Sequence, residues 1–260
     1  MKTGRIRPLF TYHGGKYYLA PWIISYFPEH STYVEPFCGG CNVFLQKDPV
    51  PSYLNDLNFD TYNLLDVANR YPRSLQTDLT GLEYNEATFK EWQEKVCTDS
   101  LGRAVKEYVL RRMSRGSTGK SFAWQNRLRG GKPGSINSWE TSITNILPVS
   151  QKLSWATLSN LSYEEMSKYD SPDTLFYLDP PYLKETRVSK KVYSCEMTTT
   201  DHEKMLDWAL SLKGKVVISG YNYPIYHNKL KWRYEHKFIK NNSSQQKSKP
   251  TMMECLWLNF

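Results

Sequence analysis

The sequence predicts an α/β protein whose sheet strands end in ligand-binding loops. The main observation is a short apolar run over residues 174–178, followed directly by Asp179-Pro180-Pro181-Tyr182. Such a run is typical of a buried strand, and consecutive prolines end it because they have no backbone N–H to donate to a sheet. The motif therefore holds a carboxylate and an aromatic ring at the carboxyl end of a strand, where open α/β sheets bind ligands. On these residues alone, a strand end with an exposed Asp is an equal alternative.

Two glycine-containing loops precede this strand and support the same fold class. The segment Tyr12-His-Gly-Gly-Lys16 is followed by a predicted helix over residues 19–26 and a strand over 32–34. That strand runs into Glu35-Pro-Phe-Cys-Gly-Gly40, and glycines after a strand allow a ligand to approach the backbone closely. About twenty residues beyond Glu35, Asp56 ends another apolar strand, at the spacing that binds ribose hydroxyls in dinucleotide folds. These patterns make an adenosine site plausible.

The remaining elements complete an alternation of helices and strands. An amphipathic helix is predicted over residues 201–212, with Thr199 or Thr200 as its cap. We interpret His202 as a helix-start residue rather than a catalyst. Further predicted elements are a helix over 82–96, a strand over 215–219 and a terminal pair over 231–239 and 252–258.

The composition is that of a globular protein, with room for one large domain or a domain with an inserted module. The chain has 260 residues, 40% of them hydrophobic, and a mean hydropathy of −0.61. It has no apolar stretch near the roughly 20 residues that span a bilayer, and its start does not resemble a signal peptide. Its five cysteines favour a reducing compartment. Cys38 and Cys41 have metal-ligand spacing, but no second pair completes a site, so no metal is expected.

The charge distribution points to a polyanionic partner. The formal net charge is +8, and residues 103–132 hold nine Lys or Arg and the single acid Glu107. Glycines interrupt this segment, so we interpret it as a mobile chain that follows phosphates. A merely soluble, loop-rich region is the alternative.

Together these motifs resemble the DNA adenine-specific (N6) methyltransferase family, in the group whose cofactor motif precedes Asp-Pro-Pro-Tyr. The resemblance is carried by Tyr12-His-Gly-Gly-Lys16, residues 35–44, Asn55-Asp56, Asp179-Pro-Pro-Tyr182 and the closing residues 253–258. It covers residues 9–68 and 150–260. One position departs from the family, because Cys41 stands where the FxGxG cofactor loop ends in glycine.

The resemblance implies a Rossmann-like S-adenosylmethionine-dependent methyltransferase sheet with helices on both faces. Residues 1–68 and 150–260 would form the catalytic domain. Residues 69–149 would form an inserted, mostly helical target-recognition module with a basic loop. The implied cofactor is S-adenosylmethionine and the implied partner is double-stranded DNA. The implied location is the cytoplasm of a bacterial or phage-infected cell.

The resemblance assigns cofactor binding to the two glycine loops and to the strand ends. Tyr12 would lie near the sulfonium, where an aromatic face gains cation–π attraction. Lys16 would meet the methionyl carboxylate, and Asp56 would hold the ribose hydroxyls. The full implied set is Tyr12, Gly14, Gly15, Lys16, Glu35, Phe37, Gly39, Asp56 and Asp179.

The same resemblance implies that Asp179, Pro180, Pro181 and Tyr182 hold the target adenine. The amine of adenine is a poor nucleophile because its lone pair is delocalised into the ring. We expect the Asp179 carboxylate and the Pro180 carbonyl to accept the two amine hydrogens, with Tyr182 stacked on a base flipped from the duplex. Alignment would then supply much of the rate, since a carboxylate is far too weak a base to deprotonate neutral adenine.

DNA binding is assigned to basic residues. These are Arg111, Arg112, Arg115, Arg127 and Arg129 of the insertion, and Lys190 shortly after the catalytic motif. Such residues bind phosphates or read guanine edges, and the sequence does not divide them between these tasks. We do not recognise the hairpin typical of GATC-specific members, so no recognition sequence follows.

Other functions remain as alternatives. An RNA adenine methyltransferase would use the same pocket, and a catalytically silent DNA-binding relative would keep the basic segment. A protein-glutamine methyltransferase is disfavoured by Asp179 and by the basic insertion.

Overall fold

The structure, a computed structural model, describes residues 5–12, 14–183, 195–240 and 251–260. The chain forms two compact units. The helical unit comprises Met1–Pro21, Gly39–Pro49 and Asn58–Leu158, and the sheet unit comprises Trp22–Cys38, Val50–Leu57 and Ser159–Phe260. The predicted insertion, residues 69–149, lies within the helical unit, and its role in target recognition stays a prediction.

The central feature is a seven-stranded, mostly parallel sheet. In chain order, the strands of the described residues are β1 (Thr32–Glu35), β2 (Ser52–Asn55), β3 (Leu128–Arg129), β4 (Lys132–Pro133), β5 (Ala156–Ser159), β6 (Thr174–Leu178), β7 (Lys215–Tyr221), β8 (Arg233–Lys240) and β9 (Thr251–Leu258). Strands β3 and β4 form a separate two-stranded sheet. The seven-stranded sheet has the order β5-β2-β1-β6-β7-β9-β8. Strands β2, β1, β6 and β7 are parallel, and β9 is antiparallel to β7 and β8. This sheet with its helices confirms the predicted α/β class.

Polar side chains mark where several helices begin. The helices are α1 (Ala20–Ile24), α2 (Phe59–Arg70), α3 (Pro72–Thr80), α4 (Glu86–Glu94), α5 (Ser100–Met113), α6 (Gly134–Thr144), α7 (Ile146–Leu153), α8 (Thr199–Ser211) and α9 (Pro224–Lys229). Asn58, Asn85 and Asp99 accept backbone N–H groups at the starts of α2, α4 and α5, which satisfies otherwise unpaired donors. Helix α4 is shorter than predicted because Asn85 caps it. In the part of the chain described, no helix is both long and apolar enough to cross a membrane.

Helix α8 begins earlier than the sequence predicted. Its cap is Thr198, neither Thr199 nor Thr200. The Thr198 hydroxyl accepts the N–H of Asp201, and the Asp201 carboxylate accepts the N–H of Thr198. This reciprocal capping box satisfies two backbone donors at once, so the earlier start is favoured.

Both faces of the sheet unit are covered. On one face, α8 packs Met205 and Leu206 into a buried cluster with Phe176 and Ile218 of the central strands. On the other face, the Phe27 ring lies 6.0 Å from that of Tyr33 and 5.9 Å from that of Tyr177, between ring centroids. All five residues of β6 are buried, as expected for a strand covered on both sides.

Asn55 fastens the chain at the ends of β1 and β2. Its side-chain nitrogen donates to the carbonyls of Pro36, at 3.1 Å, and Leu161, at 3.0 Å. Its side-chain oxygen accepts from the Leu161 N–H and the Ser159 hydroxyl, each at 2.9 Å. Because Asn55 is only 1% exposed, this one amide holds the loop after β1 and the chain after β5 in place.

We predict that Asn55→Ala lowers the free energy of unfolding by about 2–4 kcal/mol, because four hydrogen bonds are lost and buried partners are left unpaired. The measurement is urea denaturation followed by circular dichroism. Asn160→Ala is the control: Asn160 donates to the carbonyls of Asp56 and Leu57 but is half-buried, so water replaces its bonds. Equal losses in the two variants would contradict the prediction.

Candidate active site

Three carboxylates stand at the same end of the sheet. Strand β1 lies between β2 and β6, and all three are parallel. Glu35 is the last residue of β1, Asp56 follows β2 and Asp179 follows β6. The sheet unit therefore brings together three residues that the sequence predicted separately. Among the described residues, no cluster of His, Cys, Asp or Glu is arranged to hold a metal ion.

Asp179 is held by a hydroxyl on the neighbouring strand. The Ser219 hydroxyl of β7 donates to an Asp179 carboxylate oxygen at 2.8 Å. Ser219 is fully buried, and its hydroxyl lies 3.0 Å from that of Tyr177. The sequence resemblance included Ser219 but gave it no role. Only the register of β6 against β7, in which Leu178 pairs with Ile218, brings Ser219 beside Asp179.

Tyr182 is fixed by a buried carboxylate. Its hydroxyl donates to Glu254 of β9 at 2.5 Å, and its ring packs edge-on against Tyr221, 4.6 Å between centroids. Tyr182 is 7% exposed and Glu254 2% exposed. Glu254 is another residue to which the sequence assigned no function, because its strand lies more than seventy residues further along the chain.

Burial keeps the tyrosines of this network protonated. Desolvation is the largest cause that raises the pKa of Tyr177 well above its ordinary value, and the nearby Asp179 carboxylate adds to it. Desolvation likewise raises the pKa of Tyr182, followed by the charge of Glu254. A carboxylate beside a phenol disfavours a second negative charge. The Tyr182 hydroxyl therefore remains a hydrogen-bond donor to Glu254.

The loop after β1 is anchored to β2. Glu35 is 2% exposed and accepts the Tyr33 hydroxyl at 2.9 Å. The Phe37 ring lies 5.5 Å from that of Tyr163, and the Cys38 N–H donates to the Asn55 carbonyl at 2.8 Å. Asp56 is half-buried, and its own backbone is held by Ser159 and Asn160. Hydrogen bonds thus hold the backbone of the loop after β1 and the backbone of Asp56, the two segments of the sheet unit that were predicted to bind cofactor.

In the helical unit, the predicted Tyr12–Lys16 motif forms a tight turn. The Gly15 N–H donates to the Tyr12 carbonyl at 2.9 Å, and Gly14 has a φ of +76°, which favours glycine. The Lys16 side-chain nitrogen donates to the Gly14 carbonyl at 2.9 Å, and the residue is 4% exposed. Lys16 is therefore buried rather than a surface lysine.

The second glycine loop packs closely on this turn. A Cβ at Gly39 would lie 3.1 Å from ring carbons of Tyr12. Cys41, which replaces the family's last glycine, has a φ of +53°. The backbone therefore keeps a left-handed conformation at this position, although a side chain makes it cost roughly 1–2 kcal/mol. The loop then enters a short 3-10 helix, Phe44–Gln46.

Two of the predicted DNA-binding arginines have partners inside the helical unit. Arg111 donates to Glu107 at 2.7 Å and to the Ser117 carbonyl at 2.9 Å, and its guanidinium lies over the Tyr12 ring at 5.4 Å. Arg112 donates to the carbonyls of Leu9 and Pro8. These contacts hold the segment that leads into Tyr12, which is a structural role that the sequence did not predict.

A short β-hairpin lies in the basic segment, where the sequence predicted a mobile chain. Strands β3 and β4 pair antiparallel, Leu128 with Pro133 and Arg129 with Lys132. Their two-residue turn is Gly130-Gly131, with φ of +58° and +79°, as type I′ turns require. The sequence analysis missed this hairpin because strands of two residues show no alternation of apolar and polar residues. The Gly-Gly pair was the available signal.

Of the other predicted DNA-binding residues, three lie within the described part of the chain and one lies outside it. Arg115 and Arg127 are exposed, and Arg129 lies in β3. Lys190 lies outside the described residues. Next to the hairpin, Trp124 is 45% exposed and Leu128 is 65% exposed.

Comparisons with known proteins identify relatives of this chain. A sequence model of the family described as D12 class N6 adenine-specific DNA methyltransferase matches residues 12–249. The DNA N-6-adenine-methyltransferase of Escherichia phage P1 is 37% identical over 71 residues, which are 27% of this chain and 9% of that protein. The DNA adenine methylase of Vibrio cholerae serotype O1 is 26% identical over 189 residues, 68% of this chain and 65% of that protein. This chain therefore spans less than two thirds of either relative.

One solved structure that the chain matches is an rRNA methyltransferase from Streptomyces viridochromogenes. It has a TM-score of 0.38 and 10% sequence identity, with 99% of this chain and 88% of that chain covered.

We predict that Tyr177→Phe makes stability less sensitive to alkaline pH. Because the pKa of Tyr177 is raised in the fold, its contribution is fully present below the unfolded pKa of about 10 and is lost as pH rises through the folded pKa. One such group steepens the fall by up to about 1.4 kcal/mol per pH unit. Urea denaturation from about pH 9 to about pH 11 measures the slope. Tyr18→Phe, at a side chain that is 83% exposed, should keep the original slope. If the stability of Tyr177→Phe falls with pH as steeply as that of the unchanged chain, the prediction is contradicted.

Proposed function

Because the chain belongs to the D12 class of N6 adenine-specific DNA methyltransferases, we propose that it methylates adenine in duplex DNA. The methyl group of S-adenosylmethionine is transferred to the exocyclic amine of an adenine flipped out of the double helix. The proposed location is the cytoplasm of a bacterial or phage-infected cell, where such DNA is found.

The single observation that carries the proposal is the fixed position of Asp179. Its carboxylate follows a fully buried strand and is held by the buried Ser219 hydroxyl. A carboxylate held in this way accepts one hydrogen of the adenine amine, and the Pro180 carbonyl accepts the other. Both bonds favour a pyramidal nitrogen with a localised lone pair. Positioning of this kind accounts for a large part of many enzymatic rates.

Tyr182 is proposed to be the ring against which the flipped adenine packs. Its hydrogen bond to Glu254 and its edge contact with Tyr221 define the ring plane before any base arrives. Stacking of a base on an aromatic side chain contributes about 1–3 kcal/mol in single-strand binders. Unpairing and unstacking an adenine costs a few kcal/mol, so the stacking offsets part of that cost.

The proposed cofactor contacts are those that the family resemblance assigned. In the sheet unit they are Glu35, Phe37, Asp56 and Asp179; in the helical unit they are Tyr12, Gly14, Gly15, Lys16 and Gly39. S-adenosylmethionine supplies the methyl group when it is bound. Glycine is needed at two of these positions for close packing within the protein, because a Cβ would lie 3.0 Å from the Asn42 side chain at Gly15 and 3.1 Å from the Tyr12 ring at Gly39.

The proposed DNA-binding surface is the hairpin and its flanks, with Arg115, Arg127 and Arg129. Lys190, which lies outside the described residues, stays a separate prediction. Arg111 and Arg112 leave the predicted set, because their guanidinium groups already bind Glu107 and main-chain carbonyls. The exposed basic hairpin carries apolar side chains beside its charges, a combination suited to phosphates on the outside of DNA and to bases within it.

We predict that Asp179→Ala lowers methyl transfer by about 100-fold or more, because the amine loses its acceptor. The assay is nucleoside mass spectrometry of duplex DNA incubated with the full chain and S-adenosylmethionine. Asp173→Ala, which changes an exposed carboxylate just before β6, should keep full activity. N6-methyladenine formed by Asp179→Ala at the original rate would overturn the assigned role of Asp179.

Two parallel arms separate the alternatives. In the first arm, structured RNA replaces DNA in the same assay. If only the RNA gains N6-methyladenine, the protein is an RNA methyltransferase. In the second arm, binding of DNA and of S-adenosylmethionine is measured. If the chain binds DNA, does not bind S-adenosylmethionine and modifies neither nucleic acid, it is the catalytically silent relative.

We predict that Arg127→Ala weakens DNA binding and lowers its salt dependence. A lost phosphate contact reduces the slope of log affinity against log salt by about 1. Fluorescence anisotropy at several salt concentrations measures this slope. Arg70→Ala is the control, since Arg70 is exposed and bridges to Asp66 on α2. An unchanged slope in Arg127→Ala would remove this residue from the phosphate contacts.

A further inference from the structure

A fully buried histidine joins the catalytic loop to the core of the sheet unit. His202, in the first turns of α8, has no exposed surface. Its Nε2 lies 3.0 Å from the Pro181 carbonyl oxygen, and its Nδ1 lies 2.8 Å from the Tyr226 hydroxyl. Pro181 belongs to the Asp179–Tyr182 motif. The sequence had suggested that His202 is only a helix-start residue.

The partners of the imidazole determine where its proton is. A carbonyl oxygen only accepts hydrogen bonds, so Nε2 must carry the hydrogen that it donates to Pro181. In a neutral ring Nδ1 is then the acceptor, and the Tyr226 hydroxyl donates to it. Burial raises the pKa of Tyr226 well above its ordinary value, which keeps that hydroxyl protonated. The positive end of α8 also disfavours a cationic ring.

The chain of contacts continues into the sheet. The Tyr226 ring stacks on Trp257 of β9, with 4.5 Å between centroids and 21° between planes. A Cβ at Gly220 of β7 would lie 3.2 Å from the Trp257 ring, so glycine at this position lets the ring pack closely on β7. Trp257, Tyr226 and His202 thus form one continuous series of contacts that ends on the Pro181 carbonyl.

The two prolines explain why a side chain from another element holds this loop, as His202 does at the Pro181 carbonyl. Pro180 and Pro181 have no N–H groups, so these two residues cannot donate to a neighbouring strand. Side chains hold the loop at its two sides: Ser219 binds Asp179, and His202 binds Pro181.

We propose that His202 is a positioning residue, which fixes the Asp179-Pro180-Pro181-Tyr182 loop in its reactive geometry through the hydrogen bond to the Pro181 carbonyl. The inference rests on the proposed methyl transfer. His202 touches neither adenine nor cofactor in this role and exchanges no proton with either. Its contribution is to the alignment of Asp179 and the Pro180 carbonyl with the amine.

A histidine that merely fills the core would predict different kinetics. Removing such a residue lowers stability and the amount of active protein, but not the turnover number of the folded fraction. Removing a positioning bond lowers kcat, because misplacement of about 1 Å is enough to cost about 100-fold. Affinity for S-adenosylmethionine should change little, since His202 binds the second proline rather than Asp179.

The test compares His202→Leu, His202→Gln and the unchanged full chain. We expect kcat for adenine methylation to fall about 10- to 100-fold in His202→Leu, with the dissociation constant of S-adenosylmethionine unchanged within about twofold. His202→Gln keeps an N–H donor near the place of Nε2 and should recover most of kcat. Leu206→Ala, a buried change on the same helix, controls for loss of stability and should keep kcat.

A spectroscopic arm examines the hydrogen bond without activity. In ¹⁵N-histidine-labelled protein, two-bond N–H correlation spectra should show one imidazole as the neutral Nε2–H tautomer, and this signal should vanish in His202→Leu. A neutral Nδ1–H tautomer, or equal kcat in His202→Leu and the unchanged chain, overturns the inference. An equal fall of kcat in His202→Leu and His202→Gln also overturns the inference. If the unchanged chain methylates neither nucleic acid, the proposed function itself has failed.

Discussion

The loss of backbone hydrogen-bond donors at Pro180 and Pro181 is the constraint on which the site depends. Strand β6 pairs with β1 on one side and β7 on the other, but Pro180 and Pro181 cannot extend either ladder. Strand β7 runs on to Tyr221, past the point where β6 stops. Polar side chains of β7 and β9 beyond that point are therefore available to bind the side chains of the loop. Ser219 of β7 binds Asp179, and Glu254 of β9 binds Tyr182.

A buried polar network follows from this arrangement. Tyr177, Ser219 and Asp179 form one connected set, and Tyr182 with Glu254 forms another. Buried polar groups are costly unless they are hydrogen-bonded, so each member restrains the next. The result is a loop with no regular secondary structure whose side chains have defined positions. Such definition suits a reaction in which alignment, rather than strong acid–base chemistry, lowers the barrier.

The basic segment shows a division of labour that charge alone did not reveal. Arg111 and Arg112 lie on α5 and point their donors at the protein itself, where they hold residues 8 and 9 and contact the Tyr12 ring. Arg115, in a short 3-10 helix, and Arg127, just before β3, are exposed. A guanidinium group has five donors in a planar fork, which suits main-chain carbonyls as well as phosphates. Net charge therefore overestimates the number of arginines that can meet DNA.

The sequence by itself determined the strands around the motif and the order of the glycine loops. Strand β6 was predicted with both of its ends correct, because an apolar run and two prolines are local signals. The turn at Gly130-Gly131 and the Thr198 cap were also local, yet they were missed, since short elements give weak patterns. Only the tertiary structure decided that Ser219, Glu254 and His202 meet the Asp179–Tyr182 loop. These residues lie between 20 and 75 positions away in the chain, and strand register and helix packing alone bring them to it.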